Sequence, residues 1–306
     1  MDKKKPKLTY EEQLKKLQEL KINYDETQTN EVLHVLKNSS YFFKVTSYRK
    51  NYEKTNGYNV DFKALQDLAK LDMKLRYTLL PFCLDVEHSI KTFLMRIITN
   101  DDKHDGYEFV ERVVNLQPNP EGFKKELFRS VSVYKKGEQV IIDEFQKYYD
   151  KTPIWLVLEF ATVNKLKPFI IELSTERPNN TTLNRIRTYI YFVGLLRNDC
   201  AHNTPLIFDL KRRLRTREIH SNARRDGLTN QEIQMGKLIS IYAVLKLHLE
   251  LCSDGMKIHQ ADNLRDYLKR LKKTVSLYDD NPDLKIFFNG IEKIFQLYIY
   301  SVDGKR

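Results

Sequence analysis

The chain has 306 residues, a formal net charge of +11 at pH 7 and a pI of about 9.3. This charge favours a polyanionic partner or an anionic surface, but it does not choose between RNA, DNA and membrane. Ten glycines and nine prolines are roughly half the usual share, which favours long helices over turn-rich sheets. No apolar run approaches the ~18 residues of a membrane span, and no signal-peptide core follows residues 1–5. The composition predicts a soluble, cytoplasmic protein that does not insert into a membrane.

In the N-terminal third, helix signals appear on both sides of an irregular segment. Thr9 and Glu12 have capping-box spacing, which predicts a short amphipathic helix from Thr9. Residues 38–57 break the helical period, and we place a boundary at residues 57–59. From Asp61, as N-cap, apolar residues recur at helical spacing as far as Val86. This pattern predicts one long helix, or two helices joined near Pro81.

The remainder of the chain is predicted as helix after helix. Apolar periodicity predicts helices over residues 123–149, 154–173, 183–196, 229–249, 263–277 and 283–300. The helix from residue 229 opens with a second capping box, formed by Thr229 and Glu232. We predict an all-α bundle with three parts: a small N-terminal aromatic and basic region (1–58), a helical core (59–225) and a C-terminal helical extension (226–306).

One polar segment stands out at the end of the predicted helix over residues 183–196. It reads Arg197-Asn198-Asp199-Cys200-Ala201-His202. An arginine, an amide and a histidine at the end of an apolar helix can bind a phosphate, orient it and move a proton. The alternative is a histidine that caps the helix or fills the core, which is the usual role of a lone histidine.

The geometry of a helix makes this segment more informative. Residues five apart on a straight helix project about 140° away from each other, so Arg197 and His202 would not share a face. Either the helix breaks near residues 199–201, which Pro205 downstream favours, or a second copy of the protein completes the site.

Several blocks of the chain resemble the Abi-like family (the AbiD/AbiF group) of bacterial abortive-infection proteins, which carry a HEPN core. The segment from Arg197 to His202 is similar to the Arg-x(4–6)-His signature of HEPN domains, in which a polar residue follows the arginine. The other blocks are Leu8–Leu14, Tyr41–Tyr48, Leu71–Arg76, Val86–Thr92 and Pro153–Phe160. The chain departs from the family pattern at residues 46–48 and at Asn164, where the family commonly has a glycine. The likeness extends from about Leu8 to Leu206.

The resemblance implies a metal-independent endoribonuclease without a cofactor, in which an RNA 2′-hydroxyl attacks the adjacent phosphate. It implies that His202 acts as general base or acid and that Arg197 stabilises charge on the phosphoryl oxygens. Asn198 would orient a phosphate oxygen or the histidine ring. Asp199 and Glu87 are supporting candidates, with a structural ion pair as the alternative for Glu87. HEPN ribonucleases commonly pair two motifs across a dimer, so the resemblance also implies a homodimer.

Basic residues follow this segment closely and predict a surface for RNA phosphates. The alternative is a solvated helix face or loop. A second group, in the aromatic and basic N-terminal region, could stack unpaired bases and bind phosphates. In that region we expect Phe42 and Phe43 to be buried. The predicted RNA-contacting residues are Lys211, Arg212, Arg213, Arg215, Arg217, Arg224 and Arg225 in the first group, and Tyr48, Arg49 and Lys50 in the second.

Two other functions remain open at this stage. The chain could be an RNA-binding defence protein that holds a structured noncoding RNA, with cleavage latent or lost. It could instead be a protein adaptor in a toxin–antitoxin pair, which would leave the basic residues unexplained. Other chemistries lack their motifs: no phosphate-binding loop, dinucleotide fingerprint or His-Glu-x-x-His sequence occurs. The three cysteines lack the paired spacing of a disulfide framework or a zinc site, so no metal is predicted.

Overall fold

The computed structural model describes residues 7–210 and 217–304. It confirms the all-α prediction, with fifteen α-helices and four short strands in the described part. The helices are α1 (Tyr10–Glu19), α2 (Thr29–His34), α3 (Phe42–Ser47), α4 (Phe62–Thr99), α5 (Glu108–Asn115), α6 (Pro120–Leu127), α7 (Asp143–Gln146), α8 (Ile154–Phe160), α9 (Val163–Glu176), α10 (Thr181–Ala201), α11 (Arg217–Arg225), α12 (Asn230–Gln234), α13 (Gly236–Leu251), α14 (Asp254–Leu271) and α15 (Pro282–Asp303). The strands are β1 (Ile22–Asn23), β2 (Val60–Asp61), β3 (Ser132–Lys135) and β4 (Glu138–Ile141).

Helices α4, α10 and α13 form the centre of the bundle, where each packs against the other two. α9 packs against α10, and α15 packs against α13. The side chains of α13 are buried on every side from Leu238 to Leu245, which is the pattern of a helix enclosed by others. At Gly290 of α15 an added Cβ would lie 2.5 Å from Cδ1 of Leu238, so the glycine allows the two helices to approach closely. Residues 226–306, predicted as an extension, thus supply a central helix.

The long helix and both capping boxes form where the sequence predicts them. α4 runs without interruption through Pro81 after its N-cap, Asp61, so the alternative of two joined helices is wrong. The hydroxyls of Thr9 and Thr229 each accept the predicted amide hydrogen bond. The helix that begins after Thr229 stops early, because Met235 is extended (φ −82°, ψ 104°). A new helix, α13, follows it.

The prediction of a helix over residues 123–149 is wrong in its middle part. β3 and β4 form an antiparallel hairpin in which Lys135 is paired with Glu138. The two residues of the turn, Lys136 and Gly137, both have positive φ angles (51° and 85°). This backbone matches the twist of hairpin strands, and glycine adopts it without strain.

None of the helices described is long and apolar enough to cross a lipid bilayer.

Candidate active site

The segment from Arg197 to His202 occupies the last turn of α10 and its C-cap. The amide of His202 still donates to the carbonyl of Asn198 (2.9 Å), and the next residue, Asn203, has a φ of 58°. The amide of Thr204 donates to Asp199 O (2.8 Å) and that of Asn203 to Cys200 O (3.4 Å). These two bonds form a Schellman motif, which ends the helix.

The helix therefore ends too late to bring Arg197 and His202 onto one face. Regular helical bonding reaches the His202 amide, so the two side chains keep the divergence of about 140° expected five residues apart. The alternative of a helix break at residues 199–201 is wrong. Within one copy, the arginine and the histidine project in different directions.

The predicted catalytic side chains differ in exposure and partners. Arg197, Asn198 and Asp199 are half-buried, whereas His202 is exposed. Nη1 of Arg197 lies 3.5 Å from Oδ1 of Asn198. Asp199 pairs with Lys237 of α13 at 2.5 Å, which anchors the end of α10 to the central helix. The end of α10 that carries Arg197 and His202 is thus fixed to α13 by this ion pair.

Glu87 forms an ion pair within its own helix. Its carboxylate lies 3.3 Å from Nζ of Lys91, one turn further along α4. Glu87 therefore has a lysine partner on its own helix, and its supporting role at the site stays a prediction.

Asp72, a residue without a predicted role, contacts the chain just after the motif. Asp72 is fully buried on α4, and its Oδ1 accepts from the amides of Leu206 (2.6 Å) and Ile207 (2.7 Å). Its Oδ2 accepts from the hydroxyl of Tyr48 (2.9 Å) and pairs with the guanidinium of Arg76. The sequence signal that points to Asp72 is an acid and an arginine four residues apart in an apolar helix, here Asp72 and Arg76.

A second polar side chain fixes the same segment from the other side. Nδ2 of Asn51 donates to Ile207 O (2.8 Å), and Asn51 O in turn accepts from Asn281 Nδ2 (2.9 Å). The N-terminal region and α4 are thus joined to the chain that follows the motif by four side chains: Asp72, Arg76, Tyr48 and Asn51.

Lys44 contacts the residue that directly follows the motif. Its ammonium group donates to the carbonyl of Asn203, one residue beyond His202. Partial burial, together with the nearby Arg76 guanidinium, lowers the pKa of Lys44 to about 8. The side chain is therefore mostly charged at neutral pH and loses that charge in mildly alkaline solution.

The prediction that Tyr48 contacts RNA is wrong, because its side chain is fully buried and cannot stack on a base. Burial raises the pKa of Tyr48, so the phenol stays protonated and donates to Asp72. Arg49 is half-buried above the Tyr58 ring (5.5 Å), while Lys50 is exposed. Within residues 38–58, the exposed aromatic side chains are Tyr41 (64%) and Phe43 (75%). The prediction that Phe43 is buried was wrong.

The basic group is described only in part. Lys211, Arg212, Arg213 and Arg215 lie outside the described residues, and so does the side chain of Arg217. Arg224 and Arg225 are exposed on α11, which packs against α10 and α13. Arg224 donates to Asn230 (3.0 Å) and Arg225 to Asn222. Both arginines remain exposed to solvent.

The cysteines offer no nucleophile near the motif. Cys83, Cys200 and Cys252 are reduced and buried. Burial, then the neighbouring Asp199 carboxylate, raises the pKa of Cys200 to about 12, so its thiol stays protonated near neutrality. Within residues 7–210 and 217–304, no three histidine, cysteine or acidic side chains are grouped to hold a metal ion.

Comparison with known proteins gives one finding. A family model described as Abi-like protein matches residues 34–207, more than half of the chain. The match includes α3, α4, α10 and the motif from Arg197 to His202. No curated protein and no solved structure matches the chain.

Proposed function

Because this chain belongs to the Abi-like protein family, we propose that it acts in bacterial abortive-infection defence as a metal-independent HEPN endoribonuclease. Family membership indicates the defence role. The observation that supports the chemistry is the presentation of Arg197 and exposed His202 at the fixed end of α10. An arginine binds phosphoryl oxygens through a planar set of donors, and a histidine transfers protons near neutral pH.

In the proposed reaction, the 2′-oxygen of RNA attacks the adjacent phosphorus and the bond to the 5′-oxygen breaks. One histidine accepts the proton of the 2′-hydroxyl, and a second donates a proton to the leaving 5′-oxygen. Arg197 stabilises the negative charge that develops on the phosphoryl oxygens, and Asn198 orients one of them. The products are a 2′,3′-cyclic phosphate and a 5′-hydroxyl. DNA, which lacks the 2′-hydroxyl, is not a substrate.

The second histidine belongs to a second copy of the chain. Arg197 and His202 diverge by about 140° around α10, and the reaction needs one base and one acid. A homodimer that brings two motifs together supplies both histidines and both arginines. The divergence of the two side chains thus favours a composite site over two independent ones.

The proposal predicts cleavage of labelled RNA in EDTA, with cyclic-phosphate ends. Arg197→Ala and His202→Ala should remove this activity, whereas His259→Ala, at an exposed histidine of α14, should keep it. End-group analysis of the products is the measurement. A requirement for added magnesium would contradict the proposed chemistry. No cleavage, with tight and salt-sensitive RNA binding in all variants, would favour a protein that holds a noncoding RNA.

Salt dependence tests the basic surface on α11. Each phosphate neutralised in single-stranded RNA contributes about 0.7 to the slope of log affinity against log salt. Arg225→Gln is therefore expected to reduce the slope by about 0.7, measured by fluorescence anisotropy over a range of salt. Lys269→Gln, at an exposed lysine of α14, is the matched control and should leave it unchanged. Equal slopes for all three proteins would exclude Arg225 from the RNA surface.

A further inference from the structure

We propose that Asp72 is a positioning residue for the active site. It fixes the position of His202 by holding the segment that follows this histidine. This inference rests on the proposed function, because it concerns the same motif. The contacts of Asp72 are with Leu206, Ile207, Tyr48 and Arg76 rather than with Arg197 or His202. It acts through the backbone of Leu206 and Ile207, four and five residues after the histidine.

The contacts of Asp72 are those of a preformed charged acceptor. Two backbone amides lie within 2.7 Å of Oδ1, and the Tyr48 hydroxyl lies 2.9 Å from Oδ2. The Arg76 guanidinium balances the buried charge. Hydrogen bonds to an ionised group are shorter and stronger than neutral ones, and burial reduces their screening. Asn51 holds the carbonyl of Ile207 from the opposite side, so the segment is fixed by both its amides and a carbonyl.

The position of His202 depends on the backbone around it, and Asp72 is one of the groups that hold this backbone. Its side chain is exposed at a helix end, and helix ends open easily when their neighbours are mobile. The turn after it is held at three places: by the Thr204 to Asp199 bond, by Lys44 on the Asn203 carbonyl, and by Asp72. A displacement of about 1 Å at a reacting group can lower a rate by about 100-fold. Loss of the Asp72 contacts should therefore affect turnover more than RNA affinity.

Asp72→Asn is the test, because asparagine keeps the shape and removes the charge. Relative to wild type, we expect about tenfold faster amide exchange at residues 203, 204, 206 and 207. We also expect a kcat about 10–100-fold lower, with KM within about twofold. Asp85→Asn is the matched control. Asp85 is also a carboxylate of α4 and accepts from Gln260 (2.8 Å) and His248 (3.2 Å), so the same substitution there should leave both measurements unchanged.

The outcomes separate the inference from the proposed function. Unchanged exchange at residues 203, 204, 206 and 207 and unchanged kcat in folded Asp72→Asn would overturn the positioning role, as would equal effects in Asp85→Asn. Wild-type protein that cleaves no RNA would overturn the proposed function, while the exchange measurement would still show whether Asp72 holds the segment. If Asp72→Asn does not fold, Tyr48→Phe removes one hydrogen bond to Oδ2 and should give smaller changes in the same directions. Wild-type exchange and kcat in Tyr48→Phe would then contradict the inference.

Discussion

Replacing His202 with alanine is expected to slow RNA cleavage by about 10²–10⁴-fold, the usual contribution of a general acid or base. RNA affinity should change little, because an exposed histidine at a helix end adds little to a binding surface dominated by arginines and lysines. Single-turnover cleavage at saturating protein gives the rate, and anisotropy with uncleavable RNA gives the affinity. A loss of affinity with an unchanged rate at saturating protein would show that His202 binds RNA without transferring protons.

Mixed dimers extend this prediction to the composite site. If each reaction requires the His202 of both copies, activity falls as the square of the wild-type fraction, because a dimer with one histidine is inactive. Equal co-expression of wild type and His202→Ala should then leave about one quarter of the wild-type activity. Copies that act independently would leave about one half. Co-expression with His259→Ala is the control and should leave full activity.

Local signals in the sequence were sufficient for much of the helical framework. Capping boxes at Thr9 and Thr229 depend on residues three apart, and the structure contains both. The apolar stripe before Arg197 predicts α10, because each turn of a helix repeats the burial pattern of the turn before it. The position of the motif at the end of α10 followed from the same stripe.

Other features depend on contacts between distant parts of the chain. Tyr48 resembles an RNA-stacking residue in sequence, but it is buried because its hydroxyl reaches Asp72, 24 residues away. Asp72 reaches Leu206, 134 residues away, so the spacing of Asp72 and Arg76 within α4 indicates an ion pair but not the segment that Asp72 holds. The hairpin of β3 and β4 was missed because its strands are four residues each, too short for a clear alternation of apolar and polar side chains.

Arg76→Met is expected to lower the free energy of unfolding by about 3–5 kcal/mol, because it leaves the buried carboxylate of Asp72 without its counter-charge. Both side chains of this pair are almost completely buried. Urea unfolding followed by circular dichroism measures the loss. Arg265→Met is the surface control: Arg265 contacts Asp303 at 2.7 Å in a solvent-accessible pair, and such pairs contribute about 0–1 kcal/mol.

The double variant Asp72→Asn/Arg76→Met identifies the origin of this loss. Asparagine keeps an acceptor for the amides of Leu206 and Ile207 without a buried charge, and neutral replacements of buried ion pairs are often tolerated. We therefore expect the double variant to be more stable than Arg76→Met alone, although it carries one more substitution. If it is instead less stable, the effect of Arg76→Met arises from lost packing of the arginine side chain. The carboxylate of Asp72 would then stabilise the fold through its hydrogen bonds to Leu206, Ile207 and Tyr48 even without Arg76.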